Sequence, residues 1–164
     1  DNALIAAAEQ AISALAANRL AEGERLAGIV SGQLQRIEEL TVQAIDNPSR
    51  TPEAIQARLA ANLDRIVGAA SSFEPERLHQ EAMLAAAKAD IQEELDRLVA
   101  HVAAARDLLA ADGPVGRKFD FLAQEFNREA NTLCSKSTDT SLTHIGLELK
   151  TVIDQLREQV QNIE

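Results

Sequence analysis

Apolar residues recur at steps of three and four along nearly the whole chain. From Ala3 to about Ile45 they fall at Leu4, Ala8, Ile12 and Leu15, then at Leu26, Val30, Leu34, Ile37, Leu40 and Ala44, which predicts one amphipathic helical arm. Gly23, Gly28 and Gly32 interrupt it near one side, where they predict a close helix contact or a kink. Asp46-Asn47-Pro48-Ser49 closes this arm. Thr51-Pro52-Glu53 opens the next with a capping residue and Pro at the first helical position, and Ile55, Leu59, Leu63 and Ile66/Val67 mark its apolar side to a stop near Gly68. A turn at Ser71–Pro75 leads into a third pattern, read as one helix of more than 30 residues ending at Ala111, with Leu78, Leu84, Ile91, Leu95, Leu98, Val102, Ala105 and Leu109 inward.

Between Gly113 and Lys136 the pattern changes character. Phe119, Leu122, Phe126, Ala130 and Leu133 make one apolar stripe, and the other faces are crowded with polar groups. Asp120, Gln124, Asn127 and Asn131 follow one another at steps of four, three and four, while Glu125, Arg128, Glu129, Thr132 and Lys136 cover a neighbouring face. Asn is a mediocre helix former, so a merely solvated face is more readily built from Glu, Lys and Gln. A Ser/Thr/Asp-rich link follows, in which Thr138 or Asp139 can cap a last helix carrying Leu142, Ile145, Leu149, Val152/Ile153, Leu156, Val160 and Ile163. That heptad-type seam demands a helical partner. The expected fold is all-α, long antiparallel helices forming an extended hairpin or bundle, with residues 1–111 as arms and 112–164 as helices packed on them.

Composition sharpens this picture. Of the 164 residues 46% are apolar, much of that Ala, with no Trp or Tyr and four Phe, which suits helices that approach closely. The lone Cys134 cannot form an internal disulfide and reads as a small buried residue in a reducing, cytoplasmic compartment. No run of about 18 apolar residues is present to span a membrane, and no secretory signal is evident. Beginning at Asp1, the chain reads as a processed or truncated product. A net charge of −10 argues against a generic nucleic-acid coat. The balance is uneven: residues 114–136 hold Arg117, Lys118, Arg128 and Lys136 against only Asp120, Glu125 and Glu129, a locally less acidic island.

A second constellation lies upstream. Asp90, Glu94, Arg97 and His101, at steps of four, three and four, fall on one helical face, with Glu93 also four residues from Arg97. Carboxylates and an imidazole so placed can hold a divalent cation or move a proton, although solvated helix faces carry the same residues.

The run Gly113-Pro114-x-Gly116-Arg117-Lys118-x-Asp120-Phe121-Leu122-x-Gln124-Glu125-x-Asn127-Arg128-Glu129-x-Asn131-Thr132, then Ser135-Lys136, resembles the C-terminal half of the YicC/YloC family of bacterial stress-associated proteins. The block Asp90-Ile91-x-Glu93-Glu94-Leu95-x-Arg97-Leu98-x-x-His101 and the ending Arg157-Glu158-Gln159-Val160-Gln161-Asn162-Ile163-Glu164 share that resemblance, and Arg19-x-x-Glu22-Gly23 does so more loosely. Family members are about twice this long, and the N-terminal half that opens with a Met-Thr-Gly-Phe-Gly type segment is absent here. The resemblance implies a divalent-metal-dependent endoribonuclease that cleaves single-stranded RNA and assembles as a ring-like homo-oligomer, a hexamer. On that footing His101, Glu94, Glu125 and Glu129 are candidate catalytic groups. Asp90, Glu94, Asp120 and Glu125 are candidate ligands of Mg²⁺ or Mn²⁺. Arg97, Arg117, Lys118, Asn127, Arg128, Asn131 and Lys136 are candidate RNA contacts. Phe121, off the apolar stripe, is a candidate for base stacking or for packing on another helix. The competing expectation is a helical scaffold or RNA adaptor, its polar groups locking helices together while catalysis resides in the absent half.

Overall fold

The computed structural model describes residues 2–67, 75–111 and 113–161; the turn expected at 71–74, Gly68, Phe73 and the final residues 162–164 lie outside the described residues. The described chain is all-α: α1 (Asn2–Ile45), a short 3₁₀ turn (Pro48–Arg50), α2 (Pro52–Val67), α3 (Pro75–Lys88), α4 (Gln92–Ala110), α5 (Gly116–Lys136) and α6 (Thr140–Val160). No described helix is long and apolar enough to cross a membrane.

The C-terminal half of α1 packs against α4 and α6, and α5 closes the ring by packing against both of those. Each neighbouring pair runs antiparallel. Arg106 pairs with Glu38 at 2.7 Å and Arg50 Nη2 donates to Gln92 Oε1 at 2.6 Å, so α4 descends as α1 rises. Arg36 pairs with Glu148 at 2.8 Å and Asn47 Nδ2 donates to Ser141 Oγ at 3.0 Å, which fixes α6 in the same sense. The result is an up-down four-helix bundle around one core: Val30, Leu34, Ile37 and Leu40 of α1, Leu95, Leu98 and Val102 of α4, Phe119, Phe126 and Leu133 of α5, and Leu149, Ile153 and Leu156 of α6. These are the stripe positions expected from the periodicity.

Caps behave as their residues dictate. Thr51 Oγ1 accepts from the Ala54 amide at 3.2 Å ahead of Pro52, and Asp139 Oδ1 accepts from the Ser141 amide at 2.9 Å, so Asp139 rather than Thr138 caps α6. The Asp139 carboxyl is held below its ordinary range chiefly by its bond with the Ser141 hydroxyl, with the Ser141 and Leu142 amides adding to it.

Two expectations need correction. The third pattern is not one helix: it breaks between α3 and α4. The Ala89 and Asp90 amides reach back only three residues, to Ala86 and Ala87, and Asp90 Oδ1 then accepts from the Gln92 amide at 2.9 Å to start α4 afresh. The glycines of α1 do not meet another helix. Its 44 residues are one continuous helix, and a methyl at Gly23, Gly28 or Gly32 would find nothing within 4 Å. The close contact is elsewhere, at Gly146 of α6, where a methyl would sit 2.5 Å from Cys134 Sγ and 3.0 Å from Leu133 Cδ2. The first half of α1 extends past the bundle with its stripe uncovered, Leu4 being 74% exposed.

Candidate active site between α4 and α5

Helix α5 presents two polar faces, and they diverge. The amide face looks toward α6: Asn127 Nδ2 donates to Asp154 Oδ1 at 3.3 Å, Asn131 Nδ2 to Asn127 Oδ1 at 2.7 Å, and Gln124 Nε2 to Asp120 Oδ2 at 2.9 Å. The carboxylate face, four residues per step through Glu125 and Glu129, looks toward α4 and meets the face that begins at Glu94.

Two carboxylates are buried there, Glu94 at 2% exposure and Glu129 at 1%. A buried carboxylate persists only when paired, and both are. Arg97 Nε lies 2.9 Å from Glu129 Oε2, its Nη2 donates to Glu94 Oε1 at 3.3 Å, and Nη1 pairs with the exposed Glu93. Lys136, from the last turn of α5, donates to Glu94 Oε1 at 2.9 Å. Glu129 beside it holds the Arg97 guanidinium above its ordinary pKa, with Glu93 contributing further.

His101 stands two turns beyond Glu94. Its ring meets Phe126 edge to face, centroids 5.7 Å apart, so packing orients it without consuming its nitrogens. His101 Nε2 is buried with no hydrogen-bond partner, as is Glu94 Oε2. Candidate ligand atoms of His101, Glu125 and Glu129 all lie within 4.8 Å of one another. A span of that size, roughly twice a metal–oxygen bond of about 2.0–2.2 Å, together with an unpartnered imidazole nitrogen, fits a divalent cation. One imidazole with two carboxylates leans toward Mn²⁺ over Mg²⁺, since imidazole is the softer donor.

The structure thus brings together Glu94, Arg97, His101, Glu125, Glu129 and Lys136 and separates the rest. Asp90 precedes α4 and is off the helical face assigned to it; it lines a cleft with Arg50, Arg58, Asp139 and Lys136, whose ammonium reaches Glu94, and takes no part in the group of His101, Glu125 and Glu129. Asp120 belongs to the α6-facing side with Gln124, beside Val160 and Gln161. Neither stands in the group formed by His101, Glu125 and Glu129. Asn127 and Asn131 are turned away from His101, and the guanidinium of Arg97 and the ammonium of Lys136 are taken up by carboxylates. Arg117 and Lys118 are exposed at the start of α5 and line a groove of about 610 Å³ that reaches His101; Arg128 is exposed, 3.8 Å from Glu125. The grouping of His101 with Glu129 as cation ligands was not evident from spacing along one helix. The available signal was the four-residue step between Glu125 and Glu129, which aims both at whichever helix packs there.

Comparison with known proteins bears on this site. The family described as "Endoribonuclease YicC-like, C-terminal" matches residues 44–164, which include every residue of the α4–α5 cluster. The "Probable endoribonuclease YicC" of Haemophilus influenzae is 40% identical over 161 residues, covering 98% of this chain and 55% of the relative. That of Clostridioides difficile is 33% identical over 158 residues, covering 96% and 54%. The chain therefore spans about half the length of the curated relatives it matches, and it belongs to the YicC-like endoribonuclease family as a C-terminal portion.

Proposed function

We propose that the protein containing this chain is a metal-dependent endoribonuclease of single-stranded RNA, with its cation held by His101, Glu125 and Glu129. The observation that carries this reading is the convergence of a His101 ring nitrogen with two carboxylates from α5, in an imidazole whose buried Nε2 has no hydrogen-bond partner. A divalent cation there would supply positive charge against the negative charge that builds on a phosphodiester under attack. The chain's own residues do the rest. Arg97 holds the Glu129 carboxylate in place from α4, Arg97 and Lys136 together anchor Glu94, and Phe126 fixes the plane of the His101 ring. Arg117, Lys118 and Arg128 receive phosphate oxygens along the exposed edge. The family resemblance extends the reading to a cytoplasmic, stress-associated homo-oligomer.

The test uses the full-length protein. H101A and E125A each abolish cleavage of a single-stranded RNA and bind Mn²⁺ at least tenfold more weakly by electron paramagnetic resonance, while melting temperature stays within a few degrees; EDTA abolishes wild-type cleavage. The network of Glu94, Glu129, Arg97 and Lys136 also favours a second reading, in which buried charges fix the register of α4 and α5 and the chain is a scaffold. Unchanged cleavage with a fall in melting temperature in both variants would establish that reading instead.

A further inference from the structure

The groove that runs from His101 toward the start of α5 has its own character. Its floor comes from Ala104 and Leu108 of α4 and Leu122 of α5, its α5 rim carries Arg117, Lys118 and Phe121, and its α4 rim carries Asp107. It is a shallow, open depression of the surface rather than an enclosing pocket. Phe121 is 63% exposed, whereas Phe119 and Phe126 are fully buried in the bundle. A single exposed apolar side chain is ordinary. This one stands on a groove with two cations beside it on one helix and the candidate cation ligand His101 at its end.

We propose that this groove seats a nucleobase of single-stranded RNA, with Phe121 as the stacking platform and Arg117 and Lys118 holding the flanking phosphates. The inference rests on the ribonuclease reading for the kind of strand bound. Three features select this occupant. An aromatic face in a cationic setting recognises any base through its π-surface while the cations take the backbone charge. Asp107 on the α4 rim repels phosphate, which places the backbone along the α5 rim and leaves a carboxylate to accept from a base amino group or ribose hydroxyl. A base paired in a duplex has its faces covered by its neighbours, so a stacking seat beside the reacting phosphate selects unpaired RNA. Phe121 is in this role a positioning residue.

Full-length protein in EDTA, which suppresses cleavage, is irradiated with a single-stranded oligonucleotide containing 5-iodouridine, a base that couples to an aromatic ring stacked on it. Mass spectrometry is expected to place the crosslink on Phe121. F121L keeps an apolar side chain without the ring and is expected to bind the strand about five- to a hundredfold more weakly. An oligonucleotide made abasic at the crosslinked position should bind wild type and F121L equally. Crosslinks that map elsewhere, or F121L binding as tightly as wild type, overturn the proposal. So does a change in oligomeric mass by light scattering with RNA affinity intact, which would make Phe121 a contact between copies. Crosslinking without any metal-dependent cleavage would sink the nuclease reading and leave the base seat standing; cleavage without the crosslink would do the reverse.

Discussion

Replacing glycine by alanine should have opposite signs at Gly28 and Gly146. Both residues lie in helix interiors, where Ala is favoured over Gly by about 1 kcal/mol through backbone entropy. At Gly28 the added methyl meets nothing within 4 Å, so G28A should stabilise by about that amount. At Gly146 the methyl arrives 2.5 Å from Cys134 Sγ and 3.0 Å from Leu133 Cδ2, and Leu133 is fully buried, so α5 and α6 must separate or Leu133 must leave its rotamer. Overpacking of this kind costs about 1–3 kcal/mol. Because the propensity gain is common to both variants, the gap between them isolates the packing cost. Urea denaturation should show G28A above wild type and G146A about 1–3 kcal/mol below G28A, each 1 kcal/mol moving the melting temperature by about 2–4 °C. The double variant C134A/G146A removes the sulfur that the methyl meets and should recover part of the loss, a favourable coupling of about 0.5–2 kcal/mol. G146A as stable as G28A would mean that α5 and α6 do not approach at this point, and the placement of the carboxylate face of α5 would lose its support.

Two further outcomes follow from the charges. With its folded pKa lowered, Asp139 stabilises α6 fully above the ordinary Asp value near pH 4, and that contribution is lost as pH falls through the lowered folded value. D139A should therefore lose about 1 kcal/mol at pH 7 and much less at pH 2, whereas D139N, which still caps, should keep most of the neutral-pH stability; urea curves at the two pH values check this, and a D139A loss that is the same at both would contradict it. Replacing Lys136 by Met leaves Glu94 with Arg97 alone and should destabilise by about 2 kcal/mol, while E94Q/K136M, which removes the stranded charge as well, should recover most of it in thermal melts. A double variant less stable than K136M would show that Glu94 does not depend on the lysine.

What the sequence made legible is what a single helix can say about itself. Leu26 through Ala44, Phe119 through Leu133 and Leu142 through Val160 announce their buried faces by period alone, and those faces are the core. Asp90 was less legible because two rules compete there: the apolar spacing through Ala89 and Ile91 continues a helix, while an Asp side chain that accepts from the amide two residues on, that of Gln92, makes a turn that interrupts one, and the turn wins. Period also cannot name a partner. It separated the amide and carboxylate faces of α5 correctly, yet it could not say that the first meets α6 and the second meets α4.

That choice is made by residues with no chemistry of their own. The short links at 111–115 and 137–139 force α4, α5 and α6 into antiparallel neighbours, and Gly146 lets α6 approach α5 closely at Cys134. With that side of α5 committed to α6, and Phe119, Phe126 and Leu133 committed to the core, the step from Glu125 to Glu129 can face only α4. His101 then meets them because it lies seven residues, two turns, beyond Glu94, on the same side of α4 as Arg97. The candidate site is therefore specified by packing register first and by the identity of its polar residues second. A change at Gly146 that shifts α5 along α4 should disturb His101, Glu125 and Glu129 together, without touching any of them.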